Sequence, residues 1–428
     1  MILFLYIQIF RDTDIDRKDE VTVETLDKRV YTLGRLKKDL LSGLIVGVIA
    51  IPLGMGFAIA SGVKPEYGIY TTIIAGILIS LFGGSKYQIG GPTGAFIPIL
   101  FGIVMTYGYE KLLMAGFLAG VLLVIMGLLR VGTLIKFIPQ SVTIGFTSGI
   151  AVIIFTGEIP HFLGLQDVEK HKYFLDNLRE IFLHIGSANL YSIVTALLCL
   201  MLIILTARTL PKWPGALLGI VVASVCAWWF YGDKVETIRS AYGPISSALP
   251  SFHFPAFTWD TVGTLIYPAL LIAFLGGVES LLSAVVADNM SGSKHNSNRE
   301  LIGQGLANIV TPLFGGIPAT GAIARTATNI KSGATSRVSG VIHGMIVLVT
   351  LLLFAPFASR IALASLAPVL MVVAWNMSER HEFMQLLKAR NSGSFVMVVT
   401  FLCTVFLDLT TAVLAGMVLA ALLGKKRV

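Results

Sequence analysis

Gly315-Gly-Ile-Pro-Ala-Thr-Gly-Ala-Ile-Ala-Arg-Thr-Ala-Thr-Asn329 is broken by glycine and proline, and it places a cation inside a chain that is otherwise strongly apolar. Pro318 and Gly321 oppose a continuous helix, while Ala322 to Asn329 can wind into a short one. A helix N-terminus with unpaired N–H groups is therefore expected near Thr320. Such an end attracts negative charge. Gly90-Gly-Pro-Thr-Gly-Ala-Phe96 repeats the ingredients, with Thr-Gly-Ala at 93–95 and again at 320–322. The chain reads as built twice.

Of the 428 residues 55% are hydrophobic and only 13% charged, and the mean hydropathy is +0.82, whereas soluble domains carry about a quarter charged residues. This composition predicts an all-α polytopic membrane protein whose surroundings are a lipid bilayer. The net charge of +8 is spread as single Lys and Arg residues between apolar runs, the pattern of cytoplasmic loops rather than of a nucleic-acid surface. Cys199, Cys226 and Cys403 lie within apolar runs without CxxC spacing, so neither redox chemistry nor zinc is expected. His343 stands alone in an apolar run and reads as a hydrogen-bonded core residue. His381-Glu-Phe-Met-Gln385 lacks the second histidine of a zincin. No catalytic residue, metal or cofactor is expected. Met1 to Phe10 are apolar without an initial positive charge or a small-residue cleavage site, which argues against a cleaved signal peptide.

Residues 1–39 are expected to form a cytoplasmic N-terminal segment, since Arg35, Lys37 and Lys38 precede the first apolar run. A transmembrane domain over 40–424 follows. Its first seven apolar stretches lie near 40–62, 67–84, 93–107, 112–129, 137–157, 189–207 and 213–231. Seven more lie near 261–287, 301–314, 320–330, 338–355, 357–375, 394–407 and 409–424. Those near 93, 320 and 409 are too short to cross the hydrocarbon alone. Fourteen crossings return the basic tail, 425–428, to the cytoplasm, together with connections carrying Arg130, Lys136, Arg208, Lys212, Lys331 and Arg337. Two sets of seven must lie oppositely in the bilayer, as inverted repeats. Half-helices at spans 3 and 10 would then bring their N-termini together at the midplane, where irregular backbone survives only inside protein or beside water. A paired-dipole anion site is the expectation. Ordinary Gly/Pro kinks at helix contacts are the plainer alternative.

Two ionisable residues fall inside spans, Glu279 and Arg325, and such charges usually face a bundle interior and mark ion pathways. Glu279 and Ser283 are one helical turn apart, and Gly276 and Gly277 let another backbone come close. Three roles stay open for Glu279: proton carrier, ligand of a coupling cation, or salt-bridge partner of Arg325. Arg325 offers a permanent charge and a planar fork suited to oxyanions, against the bland option of a side chain snorkelling to the cytoplasmic face. In Ile51-Pro-Leu-Gly-Met-Gly-Phe57 a helix break is expected at mid-depth, with Phe57 as a cavity wall or a packing aromatic. Asp288 to Glu300 reads as a polar cytoplasmic loop with good N-cap residues.

At Ala273-Phe-Leu-Gly-Gly-Val-Glu-Ser-Leu-Leu-Ser-Ala-Val-Val-Ala-Asp-Asn-Met290, at His295-Asn-Ser-Asn-Arg-Glu-Leu-Ile-Gly-Gln-Gly-Leu-Ala-Asn308 and at Gly315 to Asn329, the chain resembles the sulfate permease (SulP) family of anion transporters. Pro52 to Ala58 and Gly90 to Phe96 share the resemblance, which runs from about residue 35 to 424. It implies a core domain (spans 1–4 and 8–11) that moves as an elevator against a gate domain (spans 5–7 and 12–14), with the anion between spans 3 and 10. It assigns substrate contacts to Phe57, to Thr93, Gly94, Ala95 and Phe96, to Thr320, Gly321, Ala322 and Ile323, and to Arg325, and the position of the eighth-span acid to Glu279; Ser283, on the same helix face, is expected to join Glu279 in coupling. Glutamate at 279, where sodium-coupled bicarbonate members carry aspartate, looks more like proton-coupled or exchanging members. Leu53 departs from the glutamine of many animal members, so their preferences do not transfer. The family usually continues into a cytoplasmic STAS domain; ending at Val428, the chain is either truncated or lacks it.

The expectation is a secondary transporter in the cell membrane that moves a small inorganic anion, sulfate first, by proton coupling or exchange. Bicarbonate or a dicarboxylate is the alternative within the family. A nucleobase–proton symporter, an anion channel and a membrane enzyme are the more distant options, and a homodimer is left open.

Overall fold

Glycine, proline and capping Asn or Thr residues divide the apolar runs into helices. The computed structural model describes residues 31–133, 139–210, 213–254, 259–407 and 409–424. The expectations for residues 1–30, Lys136, Lys212 and the tail 425–428 lie outside these. Residues up to Lys37 and those from Lys38 onward form two units, and the described part of the first is the start of α1.

In chain order come α1 (Leu33–Ala60), α2 (Pro65–Phe82), strand β1 (Gly90–Gly91) and a 3₁₀ turn (Gly94–Phe96) that runs into α3 (Ile97–Tyr107). After these follow α4 (Tyr109–Leu128), α5 (Gln140–Gly157), α6 (Ile159–Leu163), α7 (Phe174–His184), α8 (Leu190–Thr209) and α9 (Gly215–Tyr231). A short α10 (Ile238–Tyr242) leads to α11 (Trp259–Ser291), α12 (Ser297–Val310), strand β2 (Thr320–Gly321) and α13 (Ile323–Lys331). The chain finishes with α14 (Val338–Ala358), α15 (Leu363–Met377), α16 (Arg380–Ala389), α17 (Ser392–Phe406) and α18 (Leu409–Gly424).

Helix starts follow local chemistry. Pro65 opens α2 with Glu66 in its first turn, and Asn189, Asn296 and Asn391 accept backbone N–H bonds as N-caps of α8, α12 and α17. Eight helical segments are long and apolar enough to cross a bilayer: α1, α2, α4, α5 with α6, α8, α9, α11 and α14. Each expected apolar stretch overlaps a helix, with differences at several boundaries. α11 runs on to Ser291 and α12 starts at Ser297, so the polar loop expected over 288–300 shrinks to the residues between them, its ends drawn into helix. The helix of span 1 is continuous through Pro52; the proline forfeits one hydrogen bond without ending the helix. α13 starts at Ile323 rather than near Thr320, because Thr320 and Gly321 are drawn into a strand. α14 continues to Ala358, past the expected boundary at 355.

Two packing sets are visible. In one, α2 packs on α12 and α14, α4 on α11 and α12, and α11 on α13; in the other, α5 packs on α15, α17 and α18, and α8 on α9 and α15. Glycine permits the closest approaches. Gly54 of α1 meets Gly68 of α2, and Gly120 of α4 meets Gly305 of α12, with backbone where a side chain would stand.

A polar ladder runs through the first set. Glu300, Gln304 and Asn308 lie four residues apart on α12 and are all fully buried. The Glu300 carboxylate accepts five hydrogen bonds: from Gly84 N (2.7 Å), Ser85 N (3.0 Å), Gln88 Nε2 (3.0 Å), Ser280 Oγ (3.1 Å) and Gln304 Nε2 (2.9 Å). It ties α2, the segment before β1, α11 and α12 into one body. Glu300→Ala strands these donors in the interior and is expected to cost on the order of 3 kcal/mol. Thermal unfolding of the solubilised protein measures this, and an unchanged melting temperature would refute it.

Candidate functional site

The two broken stretches meet. β1 and β2 pair antiparallel, Gly90 opposite Gly321 and Gly91 opposite Thr320. The backbone around them is closed by further bonds. Ala322 N donates to Ile89 O (2.8 Å), Ile89 N to Thr326 Oγ1 (3.0 Å) and Asn329 Nδ2 to Tyr87 O (2.9 Å). Asn308 grips the approach to β2 from both sides, receiving Ala319 N (2.8 Å) and donating to Ala319 O (2.8 Å). Backbone groups of Tyr87, Ile89, Ala319 and Ala322 are thus satisfied by protein, as a dry interior requires.

Arg325 is the exception that carries charge. The residue is 3% exposed; its Nη2 donates to the Pro92 carbonyl, while its Nη1 is buried with no partner. Glu279 approaches the next residue from α11, accepting a hydrogen bond from Thr93 Oγ1 (2.9 Å). A cation and a carboxylate therefore grip Pro92 and Thr93 from two sides. The direct Glu279–Arg325 salt bridge that the sequence left open is not formed; each group takes a different partner.

Phe96 is buried, its ring packed over Gly276 of α11, where an added Cβ would stand 3.1 Å from Cζ. Ala95 is buried, and Gly94 faces Met377 of α15, Ile154 of α5 and the ring of Phe57 on α1. Phe57 thus does come to the first break. Thr320 is tied to α11 through Oγ1 and Gly276 O (2.7 Å), and Gly321 lies against the Gln88 amide. Ala322 is buried, whereas Ile323 is 39% exposed. Ser283 does not join Glu279: its hydroxyl donates to Thr326 Oγ1 (3.2 Å) and pins α13 to α11.

Sequence reasoning missed Gln88, Glu300, Asn308 and Asn329, which hold the breaks in place. The signal was available in the four-residue spacing of Glu300, Gln304 and Asn308 within an otherwise helical run. His343 differs from its expected character: it is fully buried, but neither ring nitrogen has a hydrogen-bond partner. Among the described residues no group of three or more His, Cys, Asp or Glu is placed to hold a metal ion.

With this geometry in view, comparison with known proteins gives consistent results. The profile described as the sulfate permease family matches residues 36–400. The Bacillus subtilis (strain 168) protein named "Putative sulfate transporter YvdB" is 60% identical over 390 residues, which is 91% of this chain and 74% of that protein. The bicarbonate transporter BicA of Picosynechococcus sp. is 29% identical over 92% of this chain and 70% of its own length. Among solved structures, the transmembrane domain of a cyanobacterial BicA superposes with a TM-score of 0.79 at 29% identity, covering 90% of this chain and 97% of that one. The murine Slc26a9 anion transporter in its inward-facing state superposes at 0.82 over 98% of this chain and 75% of that chain, and at 20% identity it speaks to fold alone.

Gly91 has φ +147, and an added Cβ would lie 2.6 Å from Arg325 Nη1. Gly91→Ala is therefore expected to displace the guanidinium. Stabilisation of the purified protein by added oxyanion, read as a rise in melting temperature, should fall at least tenfold in apparent affinity, as loss of a charge-assisted contact gives. Unchanged affinity would count against Arg325 as the anion's partner.

Proposed function

The chain belongs to the sulfate permease family of membrane anion transporters, and on that premise we propose that it is a secondary transporter that moves sulfate through the paired breaks. The observation that carries the reading is Arg325: a buried guanidinium with one donor unpartnered, set between two chain breaks. Burying such a cation with a donor unpartnered is costly, and an arriving oxyanion supplies the hydrogen-bond acceptor and further negative charge. The amides that open α3 and α13 add their dipoles.

Sulfate is placed first because the relative at 60% identity bears a sulfate transporter's name. Bicarbonate is the second reading, favoured by the BicA resemblance in both sequence and fold. Both are small oxyanions of the class that one arginine and two helix ends attract.

Fourteen crossings in two inverted repeats, with both termini cytoplasmic, are part of the proposal. Supporting it is the antiparallel register of β1 and β2, the arrangement that two oppositely inserted copies of one motif would produce. The two packing sets support a division into core (spans 1–4 and 8–11) and gate (spans 5–7 and 12–14), the first carrying both breaks past the second. Glu279 is the proposed coupling residue: bonded to Thr93 and not to Arg325, it stands beside the place proposed for the anion.

Labelled sulfate uptake into proteoliposomes under an inward proton gradient tests the reading, with bicarbonate, a dicarboxylate and uracil as competitors. Arg325→Ala is expected to abolish uptake and binding; sulfate affinity equal to wild type would refute its role. Glu279→Gln is expected to retain binding while losing the pH dependence of transport. An unaltered pH profile in that variant would remove Glu279 from coupling.

A further inference from the structure

A second group of charges lies away from the breaks. A cavity of about 870 Å³ opens between α3, α5, α6, α11 and the segment that joins α6 to α7. Its walls include Ile97 and Ile154, and Ile154 is also a neighbour of Gly94. The inner end of the cavity therefore adjoins the first break. Glu158, His161 and Lys170 also line it.

Each of these three is incompletely satisfied by protein. Glu158 is 4% exposed, and no described residue hydrogen-bonds its carboxylate. His161 Nε2 is buried without a partner. Lys170 makes one long hydrogen bond, from Nζ to the Ile59 carbonyl at the end of α1 (3.4 Å). Burial pushes the Lys170 ammonium below its ordinary pKa, and the charge of Glu158 acts in the opposite direction. Lys170 thus lines the cavity with one long hydrogen bond and with Glu158 as the carboxylate whose charge acts on it, and an incoming anion can take over that role.

We propose that Lys170 and His161 form a peripheral anion subsite, in which a small oxyanion takes the place of Glu158 as the counter-ion of Lys170 before moving to the break at Thr93. The proposal rests on the anion-transport reading. Donors are what an oxyanion needs, and the ammonium and an imidazole N–H supply them. Competition from Glu158 keeps the affinity low, which suits a site that must pass its anion onward.

The test uses the full chain. In proteoliposomes Lys170→Met is expected to raise the KM for sulfate roughly tenfold, as loss of one charge-assisted hydrogen bond gives, while the maximal rate stays near wild type. Lys170→Arg should restore the KM. Glu158→Gln should shift it in the opposite direction, downward. An unchanged KM in Lys170→Met, or a fall in maximal rate alone, overturns the subsite and leaves Lys170 as a pin between loop and helix.

A binding measurement separates this failure from failure of transport itself. In an Arg325→Ala background, or Arg325→Lys should the first not fold, sulfate should still raise the melting temperature by an increment that Lys170→Met removes. Absence of that increment also overturns the subsite. Absence of any flux in wild type refutes the transport reading, while the melting experiment still decides whether Lys170 binds the anion.

Discussion

Extended backbone inside hydrocarbon must find every hydrogen bond within the protein, and this constraint shapes the whole structure. Among the described residues the stretches at Gly90–Gly91 and Thr320–Gly321 face this problem, and they solve it first by pairing with each other over two residues each. Two residues are not enough. The remaining groups are met by Asn308 on Ala319, Thr326 on Ile89 and Asn329 on Tyr87. Glu300 then fixes the ground on which this stands, joining α12 to the segments before β1. Beyond these neutral bonds, the charged group at the breaks that keeps a buried donor without a partner is the Arg325 guanidinium.

Glu279 and Arg325 are kept apart by what lies between them. A hydrogen-bonded ion pair would satisfy both, and an anion would then have to break it at the cost of a stranded carboxylate. Instead Arg325 holds a carbonyl and Glu279 holds a hydroxyl, on adjacent residues Pro92 and Thr93. No hydrogen bond between them has to be broken for an anion to reach the arginine, while the carboxylate remains within one residue of the same backbone. Proton occupancy of Glu279 and anion occupancy at Arg325 can then act on a single short segment, which is the physical basis for coupling in the proposed reading.

Much of this was legible in the sequence, because glycine, proline and lone charges stand out against an apolar background. Thr93–Phe96, Thr320–Ala322, Glu279 and Arg325 were found that way, and the structure brings them together with Phe57. What stayed hidden were properties of pairs distant in sequence. Ser283 shares a helix face with Glu279, but which neighbour covers that face depends on where α13 lies, and its hydroxyl goes to Thr326. Thr320 was taken as a helix start because local propensity cannot register a strand partner at Gly91. Pro52 was read as a break because the packing of Gly54 on Gly68 beside it is tertiary. The polar residues of α12 read as loop and cap chemistry, since their donors come from three other segments, those before β1 and β2 and α11.

The contacts between the two packing sets are of a different kind from those within each. At the first break they are apolar and directed at glycine: Leu370 of α15 meets Gly56, and Met377 and Ile154 meet Gly94. Such contacts have no preferred hydrogen-bond register, so sliding one set along the other exchanges one apolar neighbour for another at small cost. Polar ties are where movement would be resisted, and Lys170 to Ile59 is one, reaching from the segment beyond α6 to the end of α1. If the sets move as proposed, that tie must be released on each cycle. At 3.4 Å that bond is long and weak, so its release adds little to the barrier, and movement stays governed by the apolar contacts.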